Sequence, residues 1–453
     1  MKRIVRYILP VIAALCAIGL ASCIEDRYDD GTDGNGSDRM LLVLHIMPVD
    51  AESVMSNAEV REMIGSLRII LLSDGIIECN QLIEFNGPGP FAASQFNYDF
   101  TWATFAGKKT FYIIANEGSV TDGLQFQLPE GDDGDLPDVP ESFTALLNSY
   151  EAVGKEGLGN AEAESSCAEL ERVLNSICFE PDYTADGGDL YLPYVSYYSA
   201  EDIEELDIKK GDFLGEEAPY TLYLVPVATK FTFNFTNYRP NNVEINNITV
   251  SSANGANFLM ARVGEDDYKK LYGTSDDRST WLPYYWIDWL ARVSEASHQN
   301  EEFDNNQNFN TKYGWISLYD TPEGDTPKPQ KFISAETFRT VDKAVKTGAE
   351  GEDEDGTPGR LTLGSYYLPE SRNIDPTGKQ AYYITLGLHD VTQKEDDDPK
   401  FENQPIQNLN ALFRNTRVII NVVMRQGNVR VYAEIAKWSE KSANGWVVEG
   451  PEP

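Results

Sequence analysis

The sequence predicts an all-β protein: two antiparallel β-sandwich domains with a few short helices. Three observations lead there. The composition holds 24 Tyr and 20 Phe against 7 Met, an aromatic bias that favours strands. Apolar runs of strand length, several alternating with period two, recur along the chain between Gly-, Pro- and Asp-rich turns. Only two stretches repeat with helical spacing. At 453 residues the chain has room for two domains of ordinary size once a leader and tether are set aside.

The elements follow in order. Met40-Leu41-Leu42-Val43-Leu44-His45-Ile46-Met47 is an apolar strand closed by Pro48, and residues 49–62 are a polar loop. Ser66-Leu67-Arg68-Ile69-Ile70-Leu71-Leu72, the turn Ser73-Asp74-Gly75 and Ile76-Ile77 read as strand, turn, strand. Residues 96–100 alternate, and 109–116 form another buried strand. Residues 130–138 are an acidic loop. Residues 142–153 and 161–178 are the helical stretches, the second placing Leu170, Val173, Leu174 and Ile177 on one face. Residues 190–198 return to a strand, and the polar segment 211–219 marks a domain boundary.

Beyond it lie the strands 220–228 and 230–235, with Phe231, Phe233 and Phe235 on one face. Strand patterns recur at 246–251, 257–260, 361–368 and 381–388. The last two, 416–424 and 429–436, are joined by the turn Gln426-Gly427-Asn428.

The first thirty residues carry an address. Lys2, Arg3 and Arg6 precede an apolar run, 8–20, too short for an ordinary membrane-spanning helix. Leu20-Ala21-Ser22-Cys23 then supplies a small-residue cleavage site with a cysteine where a lipoprotein carries its lipid. Residues 1–22 are therefore expected to be a lipoprotein signal peptide, Cys23 the lipidated residue, and 23–38 an acidic, Gly-rich flexible tether. Residues 39–218 and 219–453 are the two expected sandwich domains. The expected location is the outer membrane of a Gram-negative cell, held through the lipid on Cys23.

Charge and motif content exclude several functions. The whole chain has 37 basic and 73 acidic residues. Without the three cations of the leader the net charge is about −39, a surface that repels phosphate backbones, so nucleic acid is excluded as a partner. His45, His298 and His389 are isolated, and HExxH, CxxC and Gly-rich phosphate loops are absent. No catalytic residue, metal site or cofactor is expected. Asp132-Asp133-Gly134-Asp135 and Glu352-Asp353-Glu354-Asp355-Gly356 lack calcium-loop spacing and read as solvated acidic loops. The aromatic segment 281–290 reads as an apolar insertion or as a platform for sugar rings. Cys79, Cys167 and Cys178 cannot all pair internally, so no disulfide framework holds the fold.

Four segments carry a family resemblance. The lipobox and acidic tether run straight into an isolated strand. Thr110-Phe111-Tyr112-Ile113-Ile114-Ala115-Asn116-Glu117, Tyr366-Tyr367-Leu368-Pro369-Glu370 and Phe413-Arg414-Asn415-Thr416-Arg417-Val418-Ile419-Ile420 follow, the last leading to Ala436-Lys437-Trp438. On these the chain resembles the fimbrillins, lipoprotein subunits of type V pili. The resemblance implies two transthyretin-like sandwiches and a structural subunit of a fimbrium: shaft, accessory or tip. It implies cleavage by an Arg-specific or trypsin-like protease after an arginine in the loop behind the first strand, then strand exchange with other fimbrial subunits. Arg61 is the only basic residue of that loop, which places the cut between Arg61 and Glu62. Alternatives are a surface glycan-binding β-sandwich lipoprotein, a fimbrial anchor that keeps its first strand, and an envelope hydrolase working through carboxylates.

Cys23→Ala is expected to give an unprocessed or mislocalised precursor that takes up no fatty-acid analogue in metabolic labelling. Label persisting in the substituted protein refutes lipidation at Cys23.

Overall fold

The structure, a computed structural model, describes residues 39–48, 60–85, 90–105, 107–121, 123–126, 136–154, 157–180, 191–198, 207–208, 220–251, 257–260, 330–333, 339–345, 357–369, 382–390, 392, 400–406, 409, 412 and 414–437. Cys23, the tether, the aromatic segment 281–290 and most of both acidic loops lie outside them.

In chain order the first elements are strands β1 (Arg39–Pro48), β2 (Met63–Ile64), β3 (Ser66–Ser73), β4 (Ile76–Glu84), β5 (Phe91–Ala92), β6 (Tyr98–Phe105), β7 (Gly107–Ala115) and β8 (Gln125–Phe126). Helices α1 (Phe143–Asn148) and α2 (Ala161–Ser176) follow, then β9 (Ile177–Phe179), β10 (Tyr194–Tyr198), β11 (Asp207–Ile208) and β12 (Tyr220–Pro226). One sheet runs β4-β3-β7-β10-β12-β1-β6, with β11 on β7. The β3–β4 hairpin turns on Asp74 and Gly75, both at positive φ, the backbone that a tight hairpin demands.

β3 shows how the two faces are used. Leu67, Ile69 and Leu71 enter a core shared with β1, β6, β7 and β12. Ile70 and Leu72 enter a second core, formed with Tyr112 and Ile114 of β7 and with α1 and α2. The expected helical face holds at Leu170, Val173 and Leu174, buried against the sheet, but Ile177, the fourth residue expected on it, lies beyond the helix and opens β9. Asn160 caps α2 by accepting the amides of Glu162 and Ala163, and Ser142 caps α1 by accepting that of Ala145. At 16 residues α2 is a full sheet-covering element rather than a short connector.

The remaining strands are β13 (Thr229–Asn237), β14 (Val243–Ser251), β15 (Asn257–Phe258), β16 (Gln330–Ile333), β17 (Arg339–Val341), β18 (Gly359–Leu368), β19 (Tyr383–Asp390), β20 (Lys400–Pro405), β21 (Thr416–Arg425) and β22 (Asn428–Lys437). They form a sheet β18-β13-β21-β22 and a facing sheet β16-β14-β19-β20, with β17 on β14. Between the two lies a third core. Phe231, Phe233 and Phe235 share it with Val418, Ile420 and Val422 of β21, and with Ile245, Ile248 and Val250 of β14. This is the expected sandwich: period-two strands whose apolar faces meet. Cys79, Cys167 and Cys178 are buried thiols outside any disulfide, and burial pushes the pKa of Cys167 up to about 12.

Two pairings depart from the antiparallel expectation: β1 with β12, and β13 with β21, are parallel. Parallel neighbours need a long crossover, so no hairpin turn announces them in the sequence. Strand β12 pairs with β10 and β1 of the first sheet, although it lies beyond the expected boundary at 218/219. Pairing with the second set of strands begins at Thr229. The described residues from Met40 onward group as one compact unit.

Phe233→Ala is expected to cost about 3–5 kcal/mol, because the cavity lies in the middle of the third core. Denaturant unfolding checks it, and a loss under about 1 kcal/mol contradicts this packing.

Candidate functional site

The site is built round β1 and the segment that follows it. Leu42, Leu44 and Ile46 are 0 % exposed, while Val43, His45 and Met47 between them are half-buried, so the expected apolar strand turns one face into the core. Leu44 to Pro48 pair in parallel with Tyr220 to Leu224 of β12. β6 is the neighbour on the other side. His45 Nδ1 lies 2.7 Å from Asp99 Oδ1 of β6, with side chains 22 % and 66 % exposed. β1 is thus an inner strand of the sheet, yet no hairpin joins it to either neighbour. Its removal leaves β12 and β6 with unpaired backbone edges and the first core with a slot for three large side chains.

Magnitudes say how firmly β1 sits. Full burial of a Leu or Ile side chain contributes about 1.5–3 kcal/mol, so three contribute roughly 5–9 kcal/mol. That compares with the about 5–15 kcal/mol net stability of a typical domain. An exposed polar contact such as His45–Asp99 contributes about 0–1 kcal/mol. The apolar side chains hold the strand.

Arg61 and Glu62 occupy a 3-10 turn, Val60–Glu62, at the end of the loop. Arg61 is half-buried, and its carbonyl accepts the amide of Leu192 at 2.8 Å. Glu62 is buried. Its Oε1 accepts Lys230 Nζ at 2.5 Å and the Tyr367 hydroxyl at 2.8 Å, from β13 and β18. Arg417 of β21 is also close enough to interact with that carboxylate. Asn116, in the left-handed region at φ 57, binds the next residues. Its Nδ2 donates to the carbonyls of Met63 and Leu192 at 2.9 and 2.7 Å, and its Oδ1 accepts the Gly65 amide at 2.8 Å. Residues 49–59 lie outside the described residues.

By sequence Arg61 and Glu62 close one polar loop, 49–62, and Lys230, Tyr367 and Asn116 are not among the expected site residues. Lys230 carried one signal: a lone cation beside the Phe231, Phe233 and Phe235 alternation, in a strand buried at every position. Among the described residues two other buried ion pairs involve β3 and β7. Arg68 of β3 makes a two-pronged pair with Glu117 and donates to Asn80 and Asn148 at 2.8 Å each. Lys109 of β7 lies 2.9 Å from Glu78, whose carboxylate also accepts the hydroxyls of Ser73 and Thr104. Burial holds the Lys109 ammonium below the usual lysine range, with Glu78 opposing that shift. Among the described residues no group of three or more His, Cys, Asp or Glu is placed to hold a metal ion. Nor is any helix among them long and apolar enough to cross a membrane.

The chain is similar to solved fimbrial proteins. The tip fimbrial protein Mfa3 from Porphyromonas gingivalis, with C-terminal truncation, is 12 % identical over 88 % of this chain and 100 % of that one, with a TM-score of 0.40. A fimbrial assembly protein from Parabacteroides distasonis is 9 % identical over 88 % of this chain and 98 % of that one, with a TM-score of 0.37. No family model and no curated protein matches the sequence.

Leu44→Ala is expected to destabilise the protein by about 2–5 kcal/mol and His45→Ala by less than about 1 kcal/mol. Paired thermal unfolding curves check the contrast. Equal losses contradict the view that apolar insertion holds β1.

Proposed function

We propose that this chain is a non-catalytic structural subunit (shaft, accessory or tip) of a cell-surface fimbrium. It is exported as a lipidated precursor, cut after Arg61 by an Arg-specific or trypsin-like protease, and polymerised with other fimbrial subunits by strand exchange. The observation that carries this reading is β1: an inner strand filling the first core with Leu42, Leu44 and Ile46, joined to neither neighbour by a hairpin. The fimbrillin resemblance of the sequence and the lipobox at Cys23 support it.

The physical logic is strand addition. A sheet that loses an inner strand presents two rows of unpaired amides and carbonyls and a set of apolar pockets, a template for another chain's strand. A head-to-tail contact of that kind does not close on itself and so builds a filament. A cut between Arg61 and Glu62 divides the chain: the lipid on Cys23, the tether and β1 on one side, the rest of the fold on the other. The same cut that opens the slot also frees the body from the outer membrane.

A second reading is an anchor subunit, lipidated on Cys23, that keeps its first strand. The complete seating of β1 favours it. The mature amino terminus separates the two. A fimbrial subunit starts at Glu62, and Arg61→Ala abolishes both that terminus and polymerisation. If the Arg61→Ala protein polymerises as well as the parent, cleavage at Arg61 is not the activating step.

A further inference from the structure

We infer that the Glu62 carboxylate, closed on Lys230 and Tyr367, is a latch that shields the Arg61–Glu62 bond, so that a protease cuts there only after this segment has opened. The inference rests on the assembly reading above and adds to it a control on processing. It starts from the position of the bond. A protease needs the residues flanking the cut in an extended, accessible form, and here they are engaged on both sides. The Arg61 carbonyl is held by the Leu192 amide. Glu62 is buried with its carboxylate on Lys230 Nζ and Tyr367 Oη. Met63 pairs with Ala92, its carbonyl on Asn116. Ile64 is fully buried in the first core.

The electrostatics give the latch its strength. Lys230 and Glu62 are both buried, with Arg417 also near the carboxylate, so drawing the pair apart inside the fold is costly in a poorly solvated place. Opening must therefore carry Glu62 outward to water, and the Met63 and Ile64 contacts are drawn out with it. The two groups on Glu62 come from β13 and β18, 168 and 305 residues further along the chain. The latch therefore closes only once those distant strands are in place. Before then the arginine bond stands open. A correctly folded precursor protects it, and its cutting rate is set by how often the segment lifts.

The test is limited proteolysis of the full folded chain with a trypsin-like protease at limiting amount. The Glu62 terminus is followed by mass spectrometry and amino-terminal sequencing. Tyr367→Phe removes the hydroxyl's hydrogen bond to the carboxylate and keeps the buried ring, and is expected to speed cutting at Arg61 about tenfold or more. Lys230→Met is expected to speed it further. Cutting at Arg68, buried inside β3, reports global unfolding in the same digest and is expected to stay at the parent's level in Tyr367→Phe. The latch is overturned if Tyr367→Phe is cut at Arg61 no faster than the parent, or if cutting at Arg68 rises in the same proportion. Failure of the assembly reading looks different: an Arg61→Ala chain that still polymerises, whatever the rates at the parent's bond.

Discussion

Burying both faces of a strand obliges any charge on it to find its partner inside the protein, and three strands here live under that constraint. Arg68 on β3, Lys109 on β7 and Lys230 on β13 are each enclosed. Each is answered by one buried carboxylate: Glu117, Glu78 and Glu62. A buried pair gives little net stability compared with an apolar alternative, but losing either member costs several kcal/mol. The pairs therefore act as checks on register. A slip of one residue in β3 turns Arg68 away from Glu117 and into the first core.

β1 obeys a different rule. Its described side chains from Leu42 to Met47 send no charge into the core, and the polar link from His45 to Asp99 is partly exposed. Backbone pairing and the apolar side chains Leu42, Leu44 and Ile46 seat it, and these are the kind of interaction another strand of similar pattern can reproduce. The segment just after it is the reverse, fixed by Glu62 and Asn116 through groups that a foreign strand does not supply. Replaceable contacts before Pro48 and irreplaceable ones from Glu62 onward lie on either side of Arg61 in the sequence.

Much of the fold was legible because its information is local. The alternation at 231–235, the β3–β4 turn at Asp74-Gly75 and the closing hairpin around Gly427 each contain their own evidence within a dozen residues, and Gly427 does sit at positive φ. The helical face of α2 was equally plain. Long-range features were not legible. Parallel pairs have no turn to mark them. The membership of Tyr220–Pro226 in the first sheet depends on β1 and β10, far away in sequence. Of the candidate site, the arginine could be located from its solitude in a polar loop. The burial of its neighbour could not, because that depends on a lysine and a tyrosine supplied by distant strands.

The parallel pairing of Leu44 with Tyr220 also sets an order of events in folding. Contacts so far apart in sequence carry a high loop-closure cost and form late, after the local hairpins. The nascent protein therefore passes through a state in which the place of β1 is vacant. A strand on the same chain reaches that place at an effective concentration of order mM, whereas a strand on another molecule arrives at its bulk concentration. The linkage between β1 and the body is thus a kinetic privilege. While it is intact the protein completes itself, and once it is severed the first strand competes with every other strand in solution on equal terms.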